Sequence, residues 1–256
     1  MSDLPRFDLS GRKALVTGAS RGLGRAIALA LAEAGADVAL GLRDAGRDEG
    51  VGAEIEAMGR EALRLPMDVM DLRQSYAAID RAIERFGHLD ILVNNVGGGT
   101  VHAVEDFPEA DFDSTVARNV KSTFFLSQHA GRHMIARRSG SIVNIGSQAG
   151  AVALPGEAIY CLSKAAVAHM TKCFAVEWGK HNVRVNCVAP TFIHTDGTRP
   201  ALSDPAFEAD VIERIAALHR IGEPKEVSGA VVFLCSDAAS LITGQTLLID
   251  GGWTAR

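Results

Sequence analysis

Tyr160 and Lys164 are four residues apart within the stretch 147–164, SQAGAVALPGEAIYCLSK. On a helix this spacing puts the phenol and the ammonium on one face, one turn apart. Because a nearby cation favours the phenolate, the pair predicts a Tyr160 pKa lowered from about 10 toward the working pH of a general acid or base. The only other tyrosine, Tyr76, is followed at this spacing by an aspartate. The alternative is an ordinary amphipathic helix that carries both side chains on its surface.

Three glycines lie between an apolar run and a helical pattern near the start of the chain. Gly18, Gly22 and Gly24 follow a predicted strand over Lys13–Thr17 and open a predicted helix over Gly22–Gly35. Glycines let the backbone turn tightly and approach a pyrophosphate, while the helix N-terminus offers free N–H groups and a positive dipole end. This position favours nucleotide binding over a plain strand-to-helix turn.

Short apolar runs alternate with longer helical patterns along the chain. Further strands are predicted at Asp37–Leu42, Leu63–Met67, Ile91–Asn94, Ser141–Ile145, Val183–Ala189 and Leu247–Asp250. Helices are predicted at Leu72–Phe86, Glu109–Arg137, Ala158–Lys180, Pro205–Ala217 and Pro224–Leu234. Because parallel strands need a helix-length crossover, the alternation predicts an α/β fold with a parallel sheet and helices on both faces. No linker or repeat divides residues 1–256, so we expect a single domain.

The end of the second strand bears on which dinucleotide binds. An acidic residue is expected there to hold the ribose 2′-hydroxyl of NAD, but Leu42 occupies the position. Arg21 in the glycine loop and Arg43 after the strand are suited to a 2′-phosphate. We therefore favour NADP(H) as the cofactor. NAD(H) remains the alternative, with Asp44 holding the ribose after a small register shift.

The motifs together resemble those of the short-chain dehydrogenase/reductase family. They are the three glycines, the run 94–97 (NNVG), and Ser147, Tyr160 and Lys164, and they follow the family's order from about Leu9 to Gly252. The resemblance implies one Rossmann-type domain, a doubly wound parallel sheet of about seven strands. It also implies an enzyme that interconverts an alcohol and a carbonyl with a nicotinamide cofactor.

By the same resemblance, Ser147, Tyr160, Lys164 and Asn119 form the catalytic set. Tyr160 would pass a proton to or from the substrate oxygen, and Ser147 would hydrogen-bond that oxygen. Lys164 would bind the nicotinamide ribose, and Asn119 would kink or hydrate its helix and hold a water between Lys164 and solvent. The implied cofactor-binding residues are Gly18, Ser20, Arg21, Gly22, Leu23, Gly24, Arg43, Asp68, Val69, Asn94, Gly97, Tyr160, Lys164, Pro190, Ile193 and Thr195.

Two positions depart from the family's usual pattern. Thr191 stands where similar enzymes usually have glycine, and Val96 stands where alanine is more common. Neither change removes a reactive group, so we expect an altered pocket shape and not lost activity.

Polar residues on loops beyond the strand ends are candidates to contact substrate: Gln148, Glu157, His102 and His194. Because hydroxyl groups need polar partners, this set favours a polyhydroxylated small molecule, a sugar acid or a polyol such as gluconate. The segment at about 191–217 resembles the family's variable substrate loop and is expected to close as a lid. One alternative is a 3-oxoacyl-carrier-protein reductase. Another is a non-catalytic nucleotide-binding regulator or scaffold.

Composition bears on partners and location. The net charge of −5 disfavours nucleic acid, and no stretch of about twenty apolar residues is present to span a membrane. Four dispersed cysteines and the lack of an export signal predict a cytoplasmic protein. His129 and His133 share a helix face without a third ligand, so no metal site is predicted. Long helices with apolar residues all round, like those through which the family's tetramers form, predict a homotetramer.

Overall fold

The fold is built on one parallel β-sheet. The structure is a computed structural model that describes residues 7–255. Its strands are β1 Lys13–Thr17, β2 Asp37–Leu42, β3 Ala62–Pro66, β4 Ile91–Asn94, β5 Gly140–Ile145, β6 Val183–Pro190 and β7 Thr246–Ile249. They pair in the order β3-β2-β1-β4-β5-β6-β7, and every pairing is parallel. This doubly wound order opens a crevice at the carboxyl end of β1, where the strand order reverses.

Helices cover both faces of the sheet. They are α1 Gly22–Glu33, α2 Val51–Ala57, α3 Leu72–Phe86, α4 Glu109–Val116, α5 Ser122–Arg137, α6 Ala158–Trp178, α7 Arg199–Leu202, α8 Pro205–Arg214 and α9 Pro224–Cys235. The predicted α/β fold of one domain, with a seven-stranded parallel sheet between two helical layers, is confirmed. Along residues 7–255, no helix combines the length and the apolar character that crossing a membrane requires.

The inner strands are mainly apolar because they face two cores. In β1, Ala14 and Val16 belong to the buried cluster under α1 and α9, while Leu15 belongs to the cluster under α3, α5 and α6. Successive side chains of a strand point to opposite faces of the sheet, so a strand covered by helices on both sides has no face in contact with solvent. The short apolar runs of the sequence were therefore sufficient to place the strands.

The helix predicted over 109–137 is interrupted. After α4 ends at Val116, residues 117–121 form a π-helical segment, and α5 begins at Ser122. A π segment widens one turn of a helix and is often found at functional sites. Asn119 lies in this widened turn and is 1% exposed. The π segment lies at the position where Asn119 was expected to kink or hydrate its helix, and the segment contains no proline or glycine.

Residues 191–217 leave the sheet after β6 and have a small core of their own. Leu202 of α7 and Val211 and Ile215 near α8 pack with Ile221 and Trp253. The four-residue helix α7 was not predicted, because its apolar positions are too few to show a helical period. This segment therefore packs separately from the two main cores.

Candidate active site

The glycine loop turns at the carboxyl end of β1. Gly18 has a φ of +65° and Gly22 a φ of +56°, conformations that residues with a side chain rarely adopt. A Cβ on Gly18 would also lie 2.8 Å from the Cγ2 of Val96. Because α1 begins at Gly22, its unpaired N–H groups and positive dipole end lie at this turn. The loop thus has the shape and the donors that suit a pyrophosphate.

Gly24 has a packing role and does not line the crevice, unlike the other glycines predicted to contact the cofactor. A Cβ on Gly24 would lie 2.1 Å from the carbonyl oxygen of Gly18 and 2.7 Å from the Nδ2 of Asn95. No side chain fits at those distances. The absence of a Cβ at Gly24 therefore lets the first turn of α1 approach the loop that it supports.

The crevice beyond the loop is a cavity of about 580 Å³. Most of the predicted cofactor residues line it: Gly18, Ser20, Arg21, Gly22, Leu23, Arg43, Asp68, Val69 and Gly97. They come from loops after β1, β2, β3 and β4, which the parallel sheet brings to one edge. The sequence motifs therefore converge on one elongated site.

Charged residues surround the outer part of this cavity. Leu42 is buried at the end of β2, so no carboxylate stands at the last position of that strand. Arg21, Arg43 and Arg47 line the cavity, and Arg47 lies 3.7 Å from Asp44, which also lines it. Sequence reasoning missed Arg47, because the loop after β2 has no repeating pattern from which to place it. The same wall carries the carboxylates of Asp44, Glu49 and Asp68, so the three guanidinium groups are the groups on it that suit a 2′-phosphate.

Asn95 lines the crevice in place of Asn94, which was the predicted cofactor-binding residue. Asn94 is buried, and its Nδ2 donates to the Oγ of Ser127 and the Oδ1 of Asn144, both at 2.9 Å. It therefore ties β4 to its neighbours and does not line the crevice. Asn95 does line it, and its Nδ2 donates to the carbonyl oxygen of Thr17 at 2.9 Å. Adjacent residues at a strand end point in opposite directions, and two consecutive asparagines do not reveal which one faces the crevice.

Ser147, Tyr160 and Lys164 meet beside the crevice. Ser147 follows β5, while Tyr160 and Lys164 lie one turn apart on α6. The Nζ of Lys164 lies 5.6 Å from the centre of the Tyr160 ring and donates to the carbonyl oxygen of Ile145 at 2.8 Å. The Ser147 side chain lies close enough to the Tyr160 hydroxyl to lower the pKa of that phenol. The structure thus brings together the three groups that the sequence singled out.

Burial governs the ionisation of this cluster. It raises the pKa of Tyr160 to about 12 and lowers the pKa of Lys164 to about 8, because both charged forms lose water. The Ser147 hydroxyl opposes the rise in the pKa of Tyr160, and the negative charge of Glu157 adds to it. The predicted lowering of the Tyr160 pKa by Lys164 is therefore not found, because desolvation sets the direction of the shift. At neutral pH the cluster holds a neutral phenol, which is a proton donor, beside an ammonium.

Asn119 joins the loop after β4 to α6. Its Nδ2 donates to the carbonyl oxygen of Gly98 at 3.0 Å and to the Oγ of Ser163 at 2.7 Å, and its Oδ1 accepts from the Gly98 N–H at 3.0 Å. A Cβ on Gly97 would lie 2.9 Å from the Nζ of Lys164 and 3.3 Å from the Oδ1 of Asn119. The amide therefore lies near Lys164 and holds the loop that forms one wall of the crevice.

A smaller cavity of about 240 Å³ leads from the glycine loop to this cluster. The predicted residues Pro190, Ile193 and Thr195 line it together with Ser147, Tyr160 and Lys164. Thr191 lines it as well, and the buried hydroxyl of Thr191 has no hydrogen-bond partner among residues 7–255. The departure from glycine thus adds a polar group to this wall.

A third cavity, of about 290 Å³, shares Ser147, Tyr160 and Thr191 with the second. Gln148 and Glu157 line it, as predicted for substrate contacts. The Oε1 of Gln148 accepts from the Oγ of Ser147 at 2.7 Å. Burial raises the pKa of the Glu157 carboxyl group above its ordinary range. This space, which we call the substrate cavity, opens directly onto the reactive phenol.

His102 and His194 lie outside the substrate cavity, contrary to the prediction. The Nε2 of His102 lies 2.7 Å from Asp111, and its ring packs edge-on against Phe107. Ile193 forms a β-bridge with Gly222 and is buried, so the next side chain along the extended backbone, His194, is exposed. Loop position alone did not reveal these local partners.

The two helical histidines also have partners within the protein. His129 stacks on Tyr76 and its Nε2 lies 2.7 Å from Asp80, while the Nε2 of His133 accepts from the N–H of Leu89 at 3.2 Å. In the part of the chain that the structure describes, no group of three or more ligating side chains could hold a metal ion.

The doubly wound sheet, the glycine loop at its switch point and the Ser-Tyr-Lys cluster beside the same crevice define a nucleotide-dependent oxidoreductase. A family model described as enoyl-(acyl carrier protein) reductase matches residues 18–254. The chain belongs to the short-chain dehydrogenase/reductase family.

Similar proteins cover the chain from end to end. It is 39% identical to 2-dehydro-3-deoxy-D-gluconate 5-dehydrogenase of Escherichia coli, over 99% of each chain. It is also 39% identical to D-threitol dehydrogenase of Mycolicibacterium smegmatis, over 98% of this chain and 95% of that one. A crystal structure of gluconate 5-dehydrogenase from Burkholderia cenocepacia, in complex with NADP and tartrate, superimposes with a TM-score of 0.94 at 36% identity and covers 100% of both chains.

Proposed function

We propose that the chain is an NADP(H)-preferring dehydrogenase that interconverts a secondary hydroxyl group and a ketone on a polyhydroxylated small molecule. The observation that carries this proposal is the position of Ser147 and Tyr160, which line both the substrate cavity and the cavity that leads to the glycine loop. A substrate oxygen bound at these two hydroxyls lies beside the dinucleotide crevice. The names of the similar proteins, which are dehydrogenases of sugar acids and of a polyol, support this substrate class.

The crevice suits a nicotinamide dinucleotide. The glycine loop turns tightly because Gly18 and Gly24 have no Cβ that would clash with neighbouring atoms. The arginines that line the crevice can pair with a 2′-phosphate. NADP in the similar Burkholderia structure agrees with this preference, with NAD as the second choice. Asp68 and Val69 would border the adenine, while Pro190, Ile193 and Thr195 would hold the nicotinamide end. When bound, the nicotinamide supplies or accepts the hydride.

The residues of the chain would manage the substrate oxygen and its proton. In reduction, Tyr160 donates its phenol proton to the carbonyl oxygen, and in oxidation its phenolate takes the proton from the hydroxyl. Ser147 donates a hydrogen bond to the same oxygen and stabilises the charge that develops there. Lys164 provides a positive charge that favours the phenolate formed when Tyr160 gives up its proton. Asn119 positions the loop that borders Lys164, and water beside it would link Lys164 to solvent.

The segment 191–217 would act as a lid over the substrate cavity. Phe192, Gly197 and Thr198 line that cavity, so movement of this segment changes access to the reactive phenol. Its small core lies apart from the two main cores of the sheet and also includes Ile221 and Trp253 from outside the segment. Sequence reasoning did not single out Thr198, whose Oγ1 donates to the carbonyl oxygen of Ile193 and steadies the lid base.

The chain would form a homotetramer in the cytoplasm. Val176 on α6 is 83% exposed and Leu162 is 53% exposed, while Leu247 and Leu248 of the edge strand β7 are each 37% exposed. Contacts between copies would remove this apolar surface from water. All four cysteines are free thiols, which agrees with a reducing compartment.

The purified protein should oxidise polyols or sugar acids with NADP, measured as the absorbance of the reduced nicotinamide. A panel of polyols, gluconate and acetoacetyl thioesters, tested with NADP and NAD at equal concentration, separates the alternatives. Turnover of thioesters alone would contradict the substrate class and favour a carrier-protein reductase. Binding of NADP without turnover of any compound would favour a nucleotide-binding regulator.

A further inference from the structure

The substrate cavity contains one charged side chain that is not otherwise engaged. Of the residues that line it, Glu157 is the only acid, and none is a lysine or arginine. Within residues 7–255 the carboxylate of Glu157 has neither a hydrogen bond nor an ion pair. Glu157 occupies the N-cap position of α6, yet its side chain does not cap the helix. A half-buried carboxylate left without partners is therefore available to a ligand.

Glu157 also lies close to the reactive group. It precedes Tyr160 by three residues, a spacing that places both side chains on one side of α6. The negative charge of Glu157 contributes to the raised pKa of Tyr160. A substrate whose oxygen reaches the phenol thus extends within reach of this carboxylate.

No cation balances this charge inside the substrate cavity. Lys164 lines the neighbouring cavity instead, where its Nζ donates to a main-chain carbonyl. An Nη1 atom of Arg118 lies 3.5 Å from the place that a Cβ on Gly98 would occupy, but Arg118 is not part of the cavity wall. A substrate carboxylate entering here would meet an anion and no compensating cation, which costs free energy in a partly dry site.

We propose that Glu157 sets the substrate class: it accepts hydrogen bonds from neighbouring hydroxyl groups of an uncharged polyol and disfavours sugar acids. This inference rests on the proposed dehydrogenase activity and narrows it. A carboxylate has two oxygens, which match two adjacent hydroxyl donors, and hydrogen bonds to an ionised acceptor are stronger than those between neutral groups. Glu157 is therefore a specificity-determining residue for a neutral polyol and its ketose.

The test compares kcat/KM for neutral polyols, namely threitol, xylitol and sorbitol, with kcat/KM for gluconate, using the full chain with NADP. The native protein should prefer the best polyol over gluconate by about tenfold or more. Glu157→Gln should lower kcat/KM for that polyol by about 10-fold to 100-fold, mainly through KM, while activity on gluconate stays level or rises.

Glu105→Gln is the matched control, since Glu105 is exposed and does not line the cavity. This variant should have the native kcat/KM for both the polyol and gluconate. The NADP affinity of Glu157→Gln should match the native value and its thermal midpoint should not fall, which separates a binding effect from misfolding. The pH profile of oxidation by Glu157→Gln should also shift to lower pH, because removal of a nearby negative charge lowers the pKa of Tyr160.

Preference of the native protein for gluconate over every polyol would overturn the role of Glu157 and leave the proposed dehydrogenase function intact. An equal fall in kcat/KM for the polyol and for gluconate in Glu157→Gln would also overturn that role. Absence of turnover of both the polyols and gluconate, with NADP and with NAD, would refute the dehydrogenase function itself and the role of Glu157 with it.

Discussion

Gly24→Ala should weaken both the fold and the cofactor site, although alanine is the better helix former. A methyl group there would lie 2.1 Å from the carbonyl oxygen of Gly18. Because real contacts require more than about 3 Å, the loop or α1 must move by about 1 Å, which costs about 1–3 kcal/mol as overpacking does. The higher helix propensity of alanine offsets at most about 1 kcal/mol of this cost. We expect a net loss of about 1–2 kcal/mol and a thermal midpoint lower by about 2–8 °C.

Gly229→Ala provides the matched control for this substitution. Gly229 lies inside α9, and a Cβ there would meet nothing within 4 Å. The free energy of unfolding of this variant should rise by about 0.5–1 kcal/mol, and its affinity for NADP should stay at the native value. Differential scanning fluorimetry and a titration of NADPH fluorescence measure both properties. Equal midpoints and equal NADPH affinities for the two variants would refute the packing role given to Gly24.

Three further substitutions test other parts of the site. Arg43→Ala should raise the Kd for NADPH by about tenfold or more, through loss of a charge-assisted bond to the 2′-phosphate, and change NADH binding little, as read by fluorescence titration. Asn94→Ala should lower stability to urea by about 1–3 kcal/mol with unchanged NADPH affinity, because its partners Ser127 and Asn144 lie inside the protein. Lys164→Met should abolish turnover but raise the thermal midpoint at pH 7. The Lys164 pKa, lowered to about 8, means that burying the ammonium costs up to about 3 kcal/mol below pH 8, a cost that fades toward the unfolded value of 10.5.

The elements that the sequence placed well are those whose signal is local. Strands buried on both faces are mainly apolar runs, and the predicted bounds of β1, β2 and β4 agree with the structure. The Tyr160–Lys164 spacing predicted their shared helix face, because side chains four apart on a helix must be neighbours. The glycine loop was likewise recognisable from its place between strand and helix.

Other features depend on contacts between distant segments, which a local pattern does not contain. The π segment at 117–121 brings Asn119 to Gly98 and Ser163, and neither partner is near it in sequence. The ionisation of Tyr160 depends on how much water the finished fold removes, and the lysine one turn away did not predict it. Whether a polar loop residue faces the substrate depends on which side chains lie beside it. The Nε2 of His102, for example, pairs with Asp111 and not with the substrate cavity.

Tyr160→Phe isolates the proton-transfer role of Tyr160, because it removes one hydroxyl and keeps the ring. We expect kcat for polyol oxidation with NADP to fall by about 100-fold to 10,000-fold, while NADPH affinity and the thermal midpoint stay at the native values. Phenylalanine at this position with a kcat within tenfold of the native protein would contradict the assignment of Tyr160 as the proton donor and acceptor.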